Sequence, residues 1–305
     1  MPQKRPVTKC LRPFHFVCKP PVGGFSPQAC QEGVGLVGLF VFDGMVYLYV
    51  ISLFFYYMAF IRKEEGFRRL GLAVLGLVWV LQTLFFVAHE LFQERWTLLT
   101  LFESLLFYSW LLVGLTLVIQ RWIRSDLFIL CSILIGMTAF VLALVAGRNT
   151  NDLPMPEGLV SELLVIHVTL AILSYVAFTF AFLFAMMYLF QEKHLKRKRW
   201  HLRLRLPSLE QTESLMYWCN MAGVPLLAVS LLLGLVWAHL RLTFNFWRDP
   251  KIVSSFIVLA LYGHFLLAWL RGMRGERLAW LNVLAFLMVC INVVVSMVWS
   301  SFHRW

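Results

Sequence analysis

Charged residues are scarce in this chain. They make up 14% of its 305 residues, whereas a soluble domain carries about a quarter. So few charges cannot cover the surface of a globule of this size, which excludes a soluble enzyme or a soluble binding domain. Hydrophobic residues make up 60% of the chain, with a mean hydropathy of +0.76. They fall into runs long enough to cross about 30 Å of hydrocarbon, so the composition is that of a polytopic membrane protein.

Sequence signatures of catalysis are missing as well. The chain contains no phosphate-binding loop, no nucleophile–base pair and no thiol active site. Cys131, Cys219 and Cys290 lie in or at the ends of apolar runs and lack the spacing of a metal site. We predict that these cysteines are packing residues and that the chain alone is not an enzyme.

The first 35 residues lack the features of a membrane segment. They hold six prolines and five basic residues, and no apolar run precedes a cleavage site, so they are not a signal peptide. Cys10, Cys18 and Cys30 could form a disulfide, but three is an odd number. We predict that residues 1–35 are a disordered extension or precede the native start, and that residues 36–305 form one integral membrane domain.

Eight apolar runs have the length and composition of membrane-spanning helices, with small residues scattered among Leu, Val, Phe and Ile. They leave no room for a soluble module. The predicted fold is an all-α membrane bundle of about eight transmembrane helices. The predicted spans are 36–61, 70–92, 97–119, 127–146, 159–190, 219–240, 252–270 and 278–299.

Basic residues are distributed unevenly between the two sets of connecting segments. Sixteen follow the first, third, fifth and seventh runs, and six lie in the opposite segments and at the C-terminal end. Because basic segments stay in the cytoplasm, we predict that both termini lie outside. The net charge of +11 predicts contact with anionic lipid headgroups and not with nucleic acid. Seven basic residues in segment 191–218 also suit a cytosolic protein partner.

Two histidines on separate predicted helices fall at one depth near the outer boundary. His167 lies close to the outer end of the fifth run, and His303 follows the eighth. Two such imidazoles could bind a porphyrin iron from opposite faces. The aromatic, basic connector 236–251 lies at the same level, where its rings could stack on a porphyrin and its cations could pair with propionates. The alternative is that the histidines are interfacial anchors and the connector is an aromatic belt.

Other ionisable residues in or near the predicted spans have two interpretations each. Glu103 could hold the free ring nitrogen of a histidine, or it could cap its helix or pair with Arg95. His264 could be a ligand or an interhelical hydrogen-bonding residue. His239, in the connector, could compete with His167 as a ligand.

Three segments of the chain resemble the cytochrome c assembly family, the CcsA/ResC/CcmF group of haem-handling membrane proteins. Residues 163–178 around His167 carry the first likeness, and the connector 236–251 is similar to the family's tryptophan-rich external motif. The closing Phe302-His303-Arg304-Trp305 resembles its second external histidine segment. The matching segments stand in the family's order, and within it the chain looks most like the HemX branch of Gram-positive bacteria.

The resemblance implies that the chain binds a b-type haem, held non-covalently at the outer face of the bacterial cytoplasmic membrane. The implied iron ligands are His167 and His303, and the implied covering residues are Trp237, Phe246, Trp247 and Asp249, with Phe244 beside them. A second cytochrome c assembly subunit or a cytosolic enzyme of haem synthesis is the implied protein partner.

The connector departs from the family motif at two positions. Arg248 separates Trp247 from Asp249, and Ile252 stands where the family has glutamate. These departures favour holding or sensing haem over its delivery to apocytochrome c, within cytochrome c biogenesis or HemX-type control of haem synthesis. The alternatives are a small-solute permease, which the lack of an internal repeat disfavours, and a structural or regulatory subunit without haem.

Overall fold

The computed structural model describes residues 27–92, 100–123, 125–149, 162–196, 206–241 and 249–298. Within these ranges the chain forms eight α-helices and no strand, which confirms the predicted all-α fold. The helices are α1 Pro27–Arg62, α2 Glu65–Phe92, α3 Leu101–Ile119, α4 Asp126–Asn149, α5 Glu162–Lys196, α6 Leu209–Arg241, α7 Pro250–Leu270 and α8 Glu276–Val298. The predicted extension falls mostly outside the described residues and stays a prediction.

Each of these helices is long and apolar enough to cross a membrane. The shortest, α3, has 19 residues, which at 1.5 Å per residue span about 28 Å and match the hydrocarbon thickness. The three longest, α1, α5 and α6, have 36, 35 and 33 residues and extend about 50 Å. They therefore reach beyond the hydrocarbon, and the chain is a multi-pass membrane protein.

Helix α6 begins ten residues before the predicted span 219–240. Its start is fixed by a reciprocal cap, in which the Gln211 amide N–H donates to Ser208 Oγ at 3.2 Å and the Ser208 N–H donates to Gln211 Oε1 at 3.1 Å. The prediction from the apolar run placed this start too late, because the first turns of α6 are polar. At its other end α6 continues to Arg241, so the first third of connector 236–251 is helical and not a loop.

The helices pack as two groups of four, α1–α4 and α5–α8. Helix α5 also packs on α3 and α4 and so joins the groups. Phe128 of α4 stacks on Phe184 of α5, with ring centroids 4.9 Å apart, and the Tyr108 and Thr179 hydroxyls lie 2.7 Å apart. Neighbouring helices are antiparallel, so α1, α3, α5 and α7 finish at the same end of the bundle. We call this the basic end after its arginines and lysines. We call the other end of the bundle, where α2, α4, α6 and α8 finish, the opposite end.

A buried polar network ties the first group together. Gln82 Nε2 donates to Tyr49 Oη at 3.2 Å, and Tyr49 Oη lies 2.9 Å from Ser109 Oγ. Ser109 in turn donates to the Gly136 carbonyl at 2.9 Å. These four residues belong to α1, α2, α3 and α4, so a single network fixes the register of four helices. Such interhelical hydrogen bonds contribute to association where the solvent is lipid.

Asn292 plays the same part in the second group. Its amide nitrogen donates to Tyr175 Oη at 3.0 Å and to Ser255 Oγ at 3.1 Å. Its oxygen accepts from Ser254 Oγ at 2.9 Å. The network joins α5, α7 and α8 near the opposite end, close to where α7 begins.

Candidate functional site

His167 lies in the second turn of α5 and its imidazole packs against α6. Its Nδ1 is 2.6 Å from the Ser230 carbonyl oxygen. Because a carbonyl only accepts, Nδ1 carries the proton and Nε2 keeps its lone pair. The Ser230 hydroxyl donates to the His167 carbonyl at 2.9 Å, so the two residues bond in both directions. This is the tautomer and the fixed orientation that a metal-ligating histidine requires.

Gly234 makes room for this imidazole. A Cβ at position 234 would lie 2.6 Å from His167 Cε1, 2.8 Å from Nδ1 and 3.1 Å from Nε2, well inside normal contact distances of about 3.5–4.0 Å. Ser230 and Gly234 are four residues apart and therefore share one face of α6. Sequence reasoning missed both residues, although two small residues four apart on a membrane helix signal close helix packing.

Trp237 extends the same side of the site toward the opposite end. It is one turn beyond Gly234, is 5% exposed, and forms a buried cluster with Leu164 of α5 and Ala238. Ile252 of α7 packs against this cluster. Because Leu164 is one turn before His167, Trp237 lies near His167 where α5, α6 and α7 pack together. The structure thus brings these two predicted site residues together, with Trp237 in a helix.

Asp249 begins α7 at this junction. Its carboxylate accepts from the Lys251 amide N–H at 2.9 Å, and Pro250 occupies the first turn. An aspartate cap followed by proline is a strong helix start. Asp249 is 7% exposed, and its described role is to fix where α7 begins beside the Trp237 cluster.

Lys251 adds a positive charge near the imidazole. Its side chain is half-buried and is close enough to interact electrostatically with both His167 and Asp249. A partly buried cation near an imidazole is suited to an anionic group on a ligand. Among the described residues, no three His, Cys, Asp or Glu side chains converge as in a structural metal site.

The remaining predicted site residues lie outside the described part of the chain. They are Phe244, Phe246, Trp247 and His303. The last described residue of α8, Val298, lies at the opposite end, because the bond between Ser254 and Asn292 sets the antiparallel register of α7 and α8. The pairing of His167 with His303 stays a prediction.

Three other ionisable residues adopt structural or exposed positions. Glu103 forms a reciprocal cap with Thr100 at the start of α3, with distances of 3.0 and 3.2 Å, which is one of its two predicted roles. His239 and His264 are exposed on α6 and α7. His264 lies on the exposed side of α7, and neither of its two predicted roles is shown among the described residues.

Comparison with known proteins gives a consistent result. The sequence profile of the cytochrome c assembly protein family matches residues 98–303. Protein HemX of Brevibacillus brevis is 40% identical over 87% of this chain and 97% of its own length. Protein HemX of Bacillus subtilis is 34% identical over 86% and 95%. The cytochrome c biogenesis protein CcsA of Guillardia theta is more distant, at 26% identity over 79% of this chain and 87% of the relative.

Proposed function

We propose that this chain, which belongs to the cytochrome c assembly protein family, binds haem where α5, α6 and α7 meet, with His167 as a ligand to the iron. The observation that carries the proposal is the bond from His167 Nδ1 to the Ser230 carbonyl. It holds the ring in one orientation and leaves Nε2 free to bind iron. An ordinary interfacial histidine needs no such fixation.

The surroundings of His167 fit a flat, partly anionic ring. Gly234 has no side chain to crowd the imidazole on the α6 side, and Trp237 places a buried aromatic ring nearby. Lys251 would pair with a propionate, while Asp249 fixes the helix start that carries this lysine. When bound, haem would supply an iron that His167 and His303 would hold through their imidazoles.

His303 is the proposed second ligand, and Phe244, Phe246 and Trp247 are the proposed cover of the ring. This assignment rests on the family motif and on the position of Val298, where the chain leaves α8 at the same end as His167. The positive-inside rule places this end outside the cytoplasm and the basic end inside. The haem would then be b-type, non-covalent and at the outer face.

Holding haem suits this site better than delivering it. Ile252, which stands where the family motif has glutamate, packs on the Trp237 cluster and so replaces a charge with an apolar contact. The likeness to two HemX proteins favours a role in controlling haem synthesis. Segment 191–218 would then meet a cytosolic enzyme at the basic end, while a second assembly subunit is the partner expected for cytochrome c biogenesis.

Absorption spectroscopy of the purified protein tests this function. The protein in mild detergent is titrated with haemin, and a sharpened Soret band with narrow reduced α and β bands is the expected result. His167→Ala and His303→Ala should abolish these bands. His239→Ala and His264→Ala are matched controls, because both imidazoles are exposed on their helices, and should bind as wild type does. A haemin spectrum that is the same with and without the protein refutes the proposal.

A further inference from the structure

Two asparagines in the α5–α8 group have buried amides without protein partners. Asn220 of α6 and Asn282 of α8 are both 0% exposed. No nitrogen or oxygen atom of either side-chain amide has a hydrogen-bond partner among the described residues. Asn292, in the same group, uses its amide fully. Because an unsatisfied amide is costly inside a membrane protein, Asn220 and Asn282 require a partner of another kind.

The two asparagines lie at the same depth. The Gly275 amide N–H donates to Glu213 at 3.0 Å, which aligns the starts of α6 and α8 at the basic end. Asn220 is seven residues beyond Glu213, and Asn282 is seven residues beyond Gly275. At 1.5 Å per residue, both amides lie about 10 Å into the group from this contact.

Small side chains surround this depth. Ala185 of α5, Ala268 of α7 and Ala279 of α8 are 0%, 3% and 0% exposed, and all belong to the same buried cluster as Met216. Met216 is one turn before Asn220 on the same face of α6. Alanines from three helices lie near this depth, and proteins hold internal water at interior sites that are polar and have room for it.

Aromatic contacts close this region on the side of the His167 site. Phe178 stacks on Tyr262 with ring centroids 3.7 Å apart, and Phe182 stacks on Phe286 at 4.3 Å. Gly223, three residues beyond Asn220, packs directly on the Phe178 ring. The stacked pairs therefore form an aromatic layer between the asparagines and the opposite end, and it includes the buried Tyr262 hydroxyl.

Polar side chains continue on the other side, toward the basic end. Thr212 is 0% exposed and lies 3.5 Å from the Gln191 amide nitrogen. Glu213 and the Gly275 amide follow at the helix starts. Polar groups thus lie between the basic end and the asparagines, and Gln191 and Thr212 among them are buried.

We propose that Asn220 and Asn282 bind a cluster of ordered water in a polar chamber, reached from the basic end and closed by the Phe178–Tyr262 and Phe182–Phe286 pairs. The amides donate to and accept from these waters, which satisfies all four polar groups. The chamber is separate from the His167 site and does not depend on haem binding.

Radiolytic footprinting of the full chain in detergent tests the chamber, because hydroxyl radicals formed from bound water oxidise the side chains beside it. Met216 and Met45 are the matched pair, at 0% and 1% exposed. Met45 belongs to α1, within the first group. Mass spectrometry should show sulfoxide at Met216 forming several-fold faster than at Met45. Equal, slow oxidation of both methionines overturns the proposal, since the amides then find their partners within the protein.

The double variant Asn220→Leu, Asn282→Leu distinguishes two sources of Met216 oxidation. One is water bound by the asparagines, and the other is bulk solvent that enters when the helix ends open. Oxidation of Met216 should fall to the rate of Met45 in this variant. Unchanged, fast oxidation of Met216 contradicts the assignment of the asparagines. The wild-type comparison of Met216 with Met45 decides the question alone if the double variant does not fold.

Discussion

Gly234→Ala is the substitution that tests the packing of His167 most sharply. The new Cβ would stand 2.6 Å from Cε1 of the imidazole and 2.8 Å from Nδ1, so the ring must move by about 1 Å to reach an ordinary contact. That movement strains or breaks the 2.6 Å bond from Nδ1 to the Ser230 carbonyl. Overpacking of this kind costs about 1–3 kcal/mol.

The haem site should bear most of this cost, because alanine itself favours the helix over glycine by about 1 kcal/mol. We therefore expect Gly234→Ala to weaken haemin binding by about 5- to 150-fold, at about 1.4 kcal/mol per tenfold, with little loss of thermal stability. Soret titration measures the affinity. Gly263→Ala is the matched control, since a Cβ at position 263 of α7 meets nothing within 4 Å. Equal affinities for both variants and wild type would refute the described contact between α5 and α6.

Substitutions at three further positions test other hydrogen bonds of the α5–α8 group. Ser230→Ala keeps the backbone carbonyl that accepts from His167 but removes the hydroxyl. Haemin affinity should therefore fall by about tenfold or less. A complete loss of haemin binding argues against the carbonyl as the group that orients the imidazole. Asp249→Ala removes the N-terminal cap of α7 and should lower the free energy of unfolding by about 1 kcal/mol, whereas Asp249→Asn should keep the cap. Thermal unfolding in detergent distinguishes the two variants. Equal melting temperatures contradict the capping role. Asn292→Leu removes the buried hydrogen-bond partner of Tyr175, Ser254 and Ser255 and should destabilise the protein by more than about 1 kcal/mol. If the variant unfolds at the wild-type temperature, the Asn292 network contributes no net stability.

The eight spans could be predicted from the sequence because hydrocarbon thickness fixes the length of an apolar run. The start of α6 was missed for a physical reason: its first turns are polar and its cap is a local Ser208–Gln211 pair, which an apolar run does not reveal. The cap formed by Glu103 was one of two predicted alternatives, and the spacing of Thr100 and Glu103 carries that signal in the sequence.

His167 could be singled out from its depth and from the family likeness, but its fixation could not. Ser230 is 63 residues away, and only the antiparallel packing of α5 on α6 brings its carbonyl to Nδ1. The burial of Trp237 likewise depends on Leu164 and Ile252 from two other helices. For His264 the sequence left two roles open, ligand or interhelical hydrogen-bonding residue, and could not show that the rotation of α7 exposes its side chain.

The central claim is that Nε2 of His167 binds haem iron. Rescue of a His167 variant by free imidazole tests this claim most directly. His167→Gly leaves a cavity between α5 and α6 that free imidazole can fill. The account predicts that the haemin-loaded variant loses the narrow reduced α and β bands and that added imidazole restores them. A His167→Gly protein that keeps these bands without imidazole would contradict the account, because the iron would then take its ligands elsewhere.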